Sequence, residues 1–124
     1  MPVKVVDASA IGALLFGEPE GNEVSLALHD VKMVAPPLID IEIASICLKK
    51  ARLYPEKRES LRKAFGFFFL LDIERIDVDD PAVLELAEQT GLTAYDGCYL
   101  WVSRTMNAEL VTLDKKLRNV PFPS

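Results

Sequence analysis

With 124 residues, half of them hydrophobic and 27% charged, the chain has ordinary globular composition and can bury roughly two-thirds of the surface its unfolded form would expose. A formal net charge of −5 argues against broad electrostatic adhesion to nucleic acid, and no stretch approaches the ~18 uninterrupted apolar residues of a membrane span. No Pro/Gly/Ser-rich run marks a linker, so the expectation is one soluble, cytoplasmic domain over residues 1–124.

In chain order, Val3 to Val6 is a short apolar strand ending at Asp7, and Ala8 to Phe16 has helical spacing stopped by Gly17 and Pro19. Pro19 to His29 carries Val24, Leu26 and Leu28 among polar residues, and Lys32 to Ala35 gives a second strand closed by Pro36-Pro37. Apolar residues cover more than one face of a helix from Leu38 to Leu53, which pairs with a helix from Pro55 to about Leu71. Ile73 to Val78 alternates like a strand, and Asp80-Pro81 opens a helix that stops at Gly91. A last long helix covers Thr93 to Met106, and Glu109 to Leu113 is the final strand. Alternation of this kind predicts an α/β fold of three layers, with a central, mostly parallel sheet of four or five short strands whose ligands sit beyond the strands' carboxyl ends.

Four acids stand where folding alone explains them least: Asp7, Glu42, Asp96 and Asp114. Asp7 and Asp114 follow strands and can cap the helical turns after them, while Thr93 and Asp96 have the spacing of a capping box. Glu42 lies between Ile41 and Ile43 in a helix apolar nearly all round, so its carboxylate needs a partner. Asp40, two residues earlier, faces another way and reads as a first-turn charge favoured by the helix dipole. If the fold gathers the four, each pair ~5 Å apart repels by about 3 kcal/mol at an effective dielectric near 20, and protonation or a cation must relieve it. Oxygen-only ligands suit Mg²⁺ or Mn²⁺. His29, the only histidine, sits in a polar stretch and reads as a surface residue, so metal-activated water is the natural nucleophile. Cys47 and Cys98 lack metal-ligand spacing and read as free buried thiols.

These residues resemble the PIN-domain ribonucleases, and more narrowly the VapC-like toxins of type II toxin-antitoxin systems. The resemblance runs from Val3 to about Leu117. It rests on Val-Val-Asp-Ala-Ser-Ala at 5–10, on Ala-Pro-Pro followed by the helix with Glu42, on Leu-Thr-Ala-Tyr-Asp-Gly-Cys-Tyr-Leu at 92–100, and on Leu-Val-Thr-Leu-Asp-Lys-Lys-Leu at 110–117. It implies that Asp7, Glu42, Asp96 and Asp114 form an acidic quartet holding one or two Mg²⁺ or Mn²⁺ ions, with Ser9 and Thr112 as supporting hydroxyls. Asp7 and Asp96 would be ligands, Glu42 would position a water or ion, and Asp114 would complete the acidic wall. It further implies an endoribonuclease that hydrolyses RNA phosphodiester bonds, a cognate antitoxin lying along the helices, and a homodimer. Gly97 departs from the family's usual alanine; it costs about 1 kcal/mol within a helix but permits close approach.

RNA also needs cations. The candidates are Lys115 and Lys116 beside Asp114 with Arg118, then Lys49, Lys50 and Arg52, then Lys57, Arg58, Arg62 and Lys63; each group also reads as a solvated helix face. Phe65, Phe67, Phe68 and Phe69 with Leu70 and Leu71 cannot all face one side of a helix, so part of that cluster should meet a partner. Two other classes remain open. A noncatalytic PIN-fold binding module would use the acids as caps or docking groups, and a haloacid-dehalogenase-like phosphatase would want an aspartate where Ser9 stands.

Overall fold

The computed structural model describes residues 1–120; the last four residues of the expected 1–124 domain lie outside it. Four strands, β1 (Val3–Val6), β2 (Lys32–Ala35), β3 (Ile73–Arg75) and β4 (Glu109–Val111), form one sheet in the order β3-β2-β1-β4. Every pairing is parallel, with Val5 opposite both Val34 and Leu110. Between them run α1 (Ala8–Leu15), α2 (Gly21–Ala27), α3 (Leu38–Leu53), α4 (Arg58–Phe68), α5 (Asp80–Thr90) and α6 (Ala94–Met106), and α7 (Lys115–Arg118) follows β4.

Connectivity decides which face each helix covers. The chain steps from β1 to β2 to β3 in one direction, then returns past β1 to β4; right-handed crossovers therefore put α1–α4 on one face and α5–α6 on the other. The packing agrees, since α1 meets α2, α3 and α4, while α5 meets α6 and α6 meets β1 and β4. The reversal of strand order lies between β1 and β4, and their carboxyl ends open the crevice where such sheets bind ligands. Val5, Val6, Val34, Ile39, Ile43, Phe68 and Val102 are wholly buried in the core beneath.

Three elements are shorter than the sequence pattern predicts. The expected strand Ile73–Val78 ends at Arg75, because β2 turns at Pro36 and its last carbonyl, Ala35 O, takes the Ile76 N–H at 2.8 Å. β4 stops at Val111 instead of Leu113 because the next N–H groups go to side chains, Leu113 to Ser9 and Asp114 to Thr112. The helix expected from Pro55 to Leu71 divides into a 3₁₀ turn, Pro55–Lys57, and α4, and its end tightens as Phe69, Leu70 and Leu71 bond back three residues. Within the aromatic cluster Phe68 is wholly buried, with Phe65 and Phe69 rings 6.5 and 5.3 Å away, whereas Phe67, Phe69 and Leu70 face outward.

Two glycines fix the helix that begins at the site. Gly91 closes α5 at φ +73°, a left-handed conformation that costs other residues more, and turns the chain into α6. At Gly97 a Cβ would lie 3.3 Å from Ala87 Cβ and 3.4 Å from the Val83 carbonyl oxygen, so the absence of a side chain lets α6 lie closely on α5. Cys47 and Cys98 are both free, Cys47 buried and Cys98 half-buried.

Candidate active site

Asp7, Glu42, Asp96 and Asp114 line one pocket of about 230 Å³, together with Ala8, Ser9, Ser45, Ile46, Lys49 and Tyr99. It opens at the carboxyl ends of β1 and β4. Asp7 ends β1 and caps α1, Asp114 follows β4 and caps α7, Glu42 projects from α3, and Asp96 lies in the first turn of α6. The capping readings therefore hold together with the gathering of the acids. Thr93 caps α6 by accepting from Asp96 N at 3.0 Å. Asp40 lies outside the pocket, paired with Arg75 at 2.5 Å, and His29 is exposed and outside it too.

Asp7 is only 4% exposed, and its carboxylate is held from three directions. Oδ1 accepts from Ser9 Oγ at 2.8 Å and from Ala10 N at 3.0 Å, and Oδ2 accepts from Thr112 Oγ1. Of roughly four lone-pair positions on a carboxylate, one on Oδ2 stays free. Each hydroxyl gives its single proton to Asp7 and accepts a backbone N–H, from Leu113 at 2.9 Å and from Asp114 at 3.0 Å. Ser9 and Thr112 thus lock the end of β1 to the end of β4. Glu42 is fixed by Tyr99, whose hydroxyl donates to Oε1 at 2.5 Å from a ring that is 1% exposed. Tyr99→Phe should cost about 1–2 kcal/mol in urea unfolding, because a half-buried carboxylate loses its donor.

Electrostatics tie the four together. Burial pushes the Asp7 carboxyl above its ordinary value; the bonds from Thr112, Ala10 and Ser9 oppose this, and the charge of Asp114 adds to it. Glu42 is raised first by burial, against the Tyr99 bond, and then by the charges of Asp7 and Asp96. Asp96 is raised by burial and by Asp114, with Thr93 and Lys116 pulling the other way. Between the ordinary carboxylate values and these raised ones the folded protein holds more protons than the unfolded chain. Without metal, the contribution of these groups to stability is therefore present at low pH and lost as pH rises through that window. In chelator, these carboxyls should make the unfolding free energy fall as pH rises above about 4, the ordinary carboxylate value. Asp96→Asn should flatten that slope, read as unfolding free energy against pH in chelator.

The donor set is all oxygen, which fits a hard divalent cation. Among the described residues no group of three such side chains is drawn close enough to enclose an ion unaided. Mg²⁺ keeps several waters when bound and takes only one or two carboxylates, so the oxygen donor chemistry is compatible with it. The sequence reading missed Tyr99, Ser45 and the pocket position of Lys49. Helical spacing carried the signal: Ser45, Ile46 and Lys49 follow Glu42 by three, four and seven residues, and Tyr99 follows Asp96 by three.

A family model described as PIN domain matches residues 4–123. Ribonuclease VapC3 of Pyrobaculum aerophilum is 30% identical over 125 residues, covering 97% of this chain and 95% of that protein. Exonuclease VapC9 of the same organism is 31% identical over 122 residues, covering 94% and 85%. Among solved structures, PAE2754 from Pyrobaculum aerophilum superposes with a TM-score of 0.74 at 23% identity, covering 94% of this chain and 82% of that one. VapBC2 from Rickettsia felis, bound to a DNA fragment from their promoter, gives a TM-score of 0.60 at 20% identity, covering 96% and 93%. Both support the same fold.

Proposed function

This chain belongs to the PIN-domain family, and from that premise we propose that it is a metal-dependent endoribonuclease acting as the toxin of a toxin-antitoxin pair. One observation carries the reading: four carboxylates distant in sequence line a single pocket at the reversal point of the sheet. Asp7, Asp96 and Asp114, with Glu42, are the residues to hold one or two Mg²⁺ or Mn²⁺ ions, which when bound supply an activated water and neutralise charge on the phosphodiester.

The protein's own residues do the rest. Ser9 and Thr112 hold the Asp7 carboxylate rigid, and by taking three of its lone pairs they and Ala10 leave one for a ligand. Tyr99 fixes Glu42. Water's oxygen bonds to phosphorus as the bond to the leaving ribose oxygen breaks, the attacking water giving up a proton to solvent and the leaving oxygen taking one from it, with the acids holding reactants in place. Lys115 and Lys116, exposed at the start of α7, contact the RNA backbone, and Lys116 is near enough for its charge to act on Asp96. The outward Phe67, Phe69 and Leu70 suit a protein partner; we assign the chain a cognate antitoxin and a homodimer. Among the described residues no helix is long and apolar enough to cross a membrane, and we assign a single cytoplasmic domain over 1–124.

The relatives' names include both ribonuclease and exonuclease, so the test uses a covalently closed RNA circle, which has no end to attack. Endonuclease action converts the circle to linear product with Mn²⁺ or Mg²⁺ and not with chelator. A circle left intact while linear RNA shortens from its ends would overturn the endonuclease assignment, and no cleavage of either would turn the reading to a binding module.

A further inference from the structure

Lys49 is the one cationic side chain lining the acidic pocket among the described residues. It sits on the same face of α3 as Glu42 and Ser45, two turns further along, which separates its backbone from that of Glu42 by about 10.5 Å of helix rise. It is exposed, and no ion pair or hydrogen bond of its side chain is found among the described residues, whereas its neighbour Lys50 is tied to Glu18 and so withdrawn from this role. Among the described residues no partner fixes this ammonium in the pocket it shares with four carboxylates. An incoming strand of phosphodiesters supplies one.

On these grounds we propose that Lys49 is a positioning residue that grips a backbone phosphate of the substrate strand next to the one being cleaved, with the RNA lying along the Glu42–Ser45–Lys49 face of α3. The inference rests on the nuclease reading and deepens it. The acids that gather a cation also repel the polyanion, and the net charge of −5 offers little general attraction, so a local cation on the approach sets how well the strand is held. The separation along α3 assigns Lys49 a neighbouring phosphate, whereas the reacting phosphate belongs to the carboxylate end of the pocket. Ser45, exposed and one turn from each, is available to donate to the same backbone.

The test compares wild type, Lys49→Met and Lys49→Arg on one fluorescein-labelled single-stranded RNA at several salt concentrations with Mn²⁺. Lys49→Met should raise KM about tenfold with kcat nearly unchanged. It should also flatten the dependence of log kcat/KM on log salt by about 0.7, the value of one phosphate contact on a single strand. Lys49→Arg should restore both. A loss confined to kcat, or an unchanged salt slope, would overturn the proposal while leaving the nuclease reading standing. If the wild type itself fails to cleave, the nuclease reading falls. The inference is then judged by equilibrium binding of the same RNA to wild type and Lys49→Met, where an equal salt slope refutes it.

Discussion

Asp7→Asn should reduce metal-dependent RNA cleavage roughly 100-fold or more while the protein still folds. Asn keeps the shape and one acceptor oxygen, which can continue to cap α1 through Ala10 N. With the oxygen kept at the Oδ1 position, its amide nitrogen stands in place of Oδ2 and cannot accept from Thr112, so the Thr112 hydroxyl must redirect its proton, although its oxygen can still accept the Asp114 N–H. Losing a buried charge offsets part of that penalty, since burial already pushes this carboxyl upward. Stability should therefore change by no more than about 1 kcal/mol, while the ligand oxygen with a free lone pair is gone. Cleavage assays paired with urea unfolding check both halves. Full activity in a folded Asp7→Asn protein would remove Asp7 from the site.

Phe68→Ala has the largest expected effect on the fold. The ring is 0% exposed, packs on Phe65 and Phe69, and lies 5.3 Å beneath the guanidinium of Arg75, which also holds Asp40 on α3. Truncation removes the transfer energy of a large aromatic and leaves a cavity where α4 meets the sheet, a loss of about 3–5 kcal/mol. Against a total stability of roughly 5–15 kcal/mol this lowers the urea midpoint severely. Phe69→Ala, at a ring 61% exposed, should cost well under half as much. Equal costs for the two would contradict the packing described.

How much of this was legible beforehand depends on what each residue answers to. β1 and β2 were readable because short apolar runs end abruptly at Asp7 and at Pro36-Pro37. The ends of β3 and β4 were not, because they are set by pairing partners and by side chains from distant segments: the Ala35 carbonyl for one, the Ser9 and Thr112 hydroxyls for the other. The four acids could be singled out by their positions, and the two hydroxyls by resemblance. Tyr99 escaped because its spacing from Asp96 puts it on the same face of α6 but does not show which group its hydroxyl meets; that group, Glu42, comes from α3. Lys49 was visible only as one of a basic trio; the fold separates it from Lys50, which turns to Glu18.

The central claim, that the gathered carboxylates run a metal-dependent nuclease, is tested most directly by cleavage of a structured RNA pool by wild type and Asp96→Asn. Both are assayed with Mn²⁺ or Mg²⁺ and with chelator, after both proteins are shown to fold alike and to be free of co-purified inhibitor. Discrete products that require the metal and vanish in Asp96→Asn are the expected result; cleavage that survives chelation, or that Asp96→Asn retains in full, would contradict it.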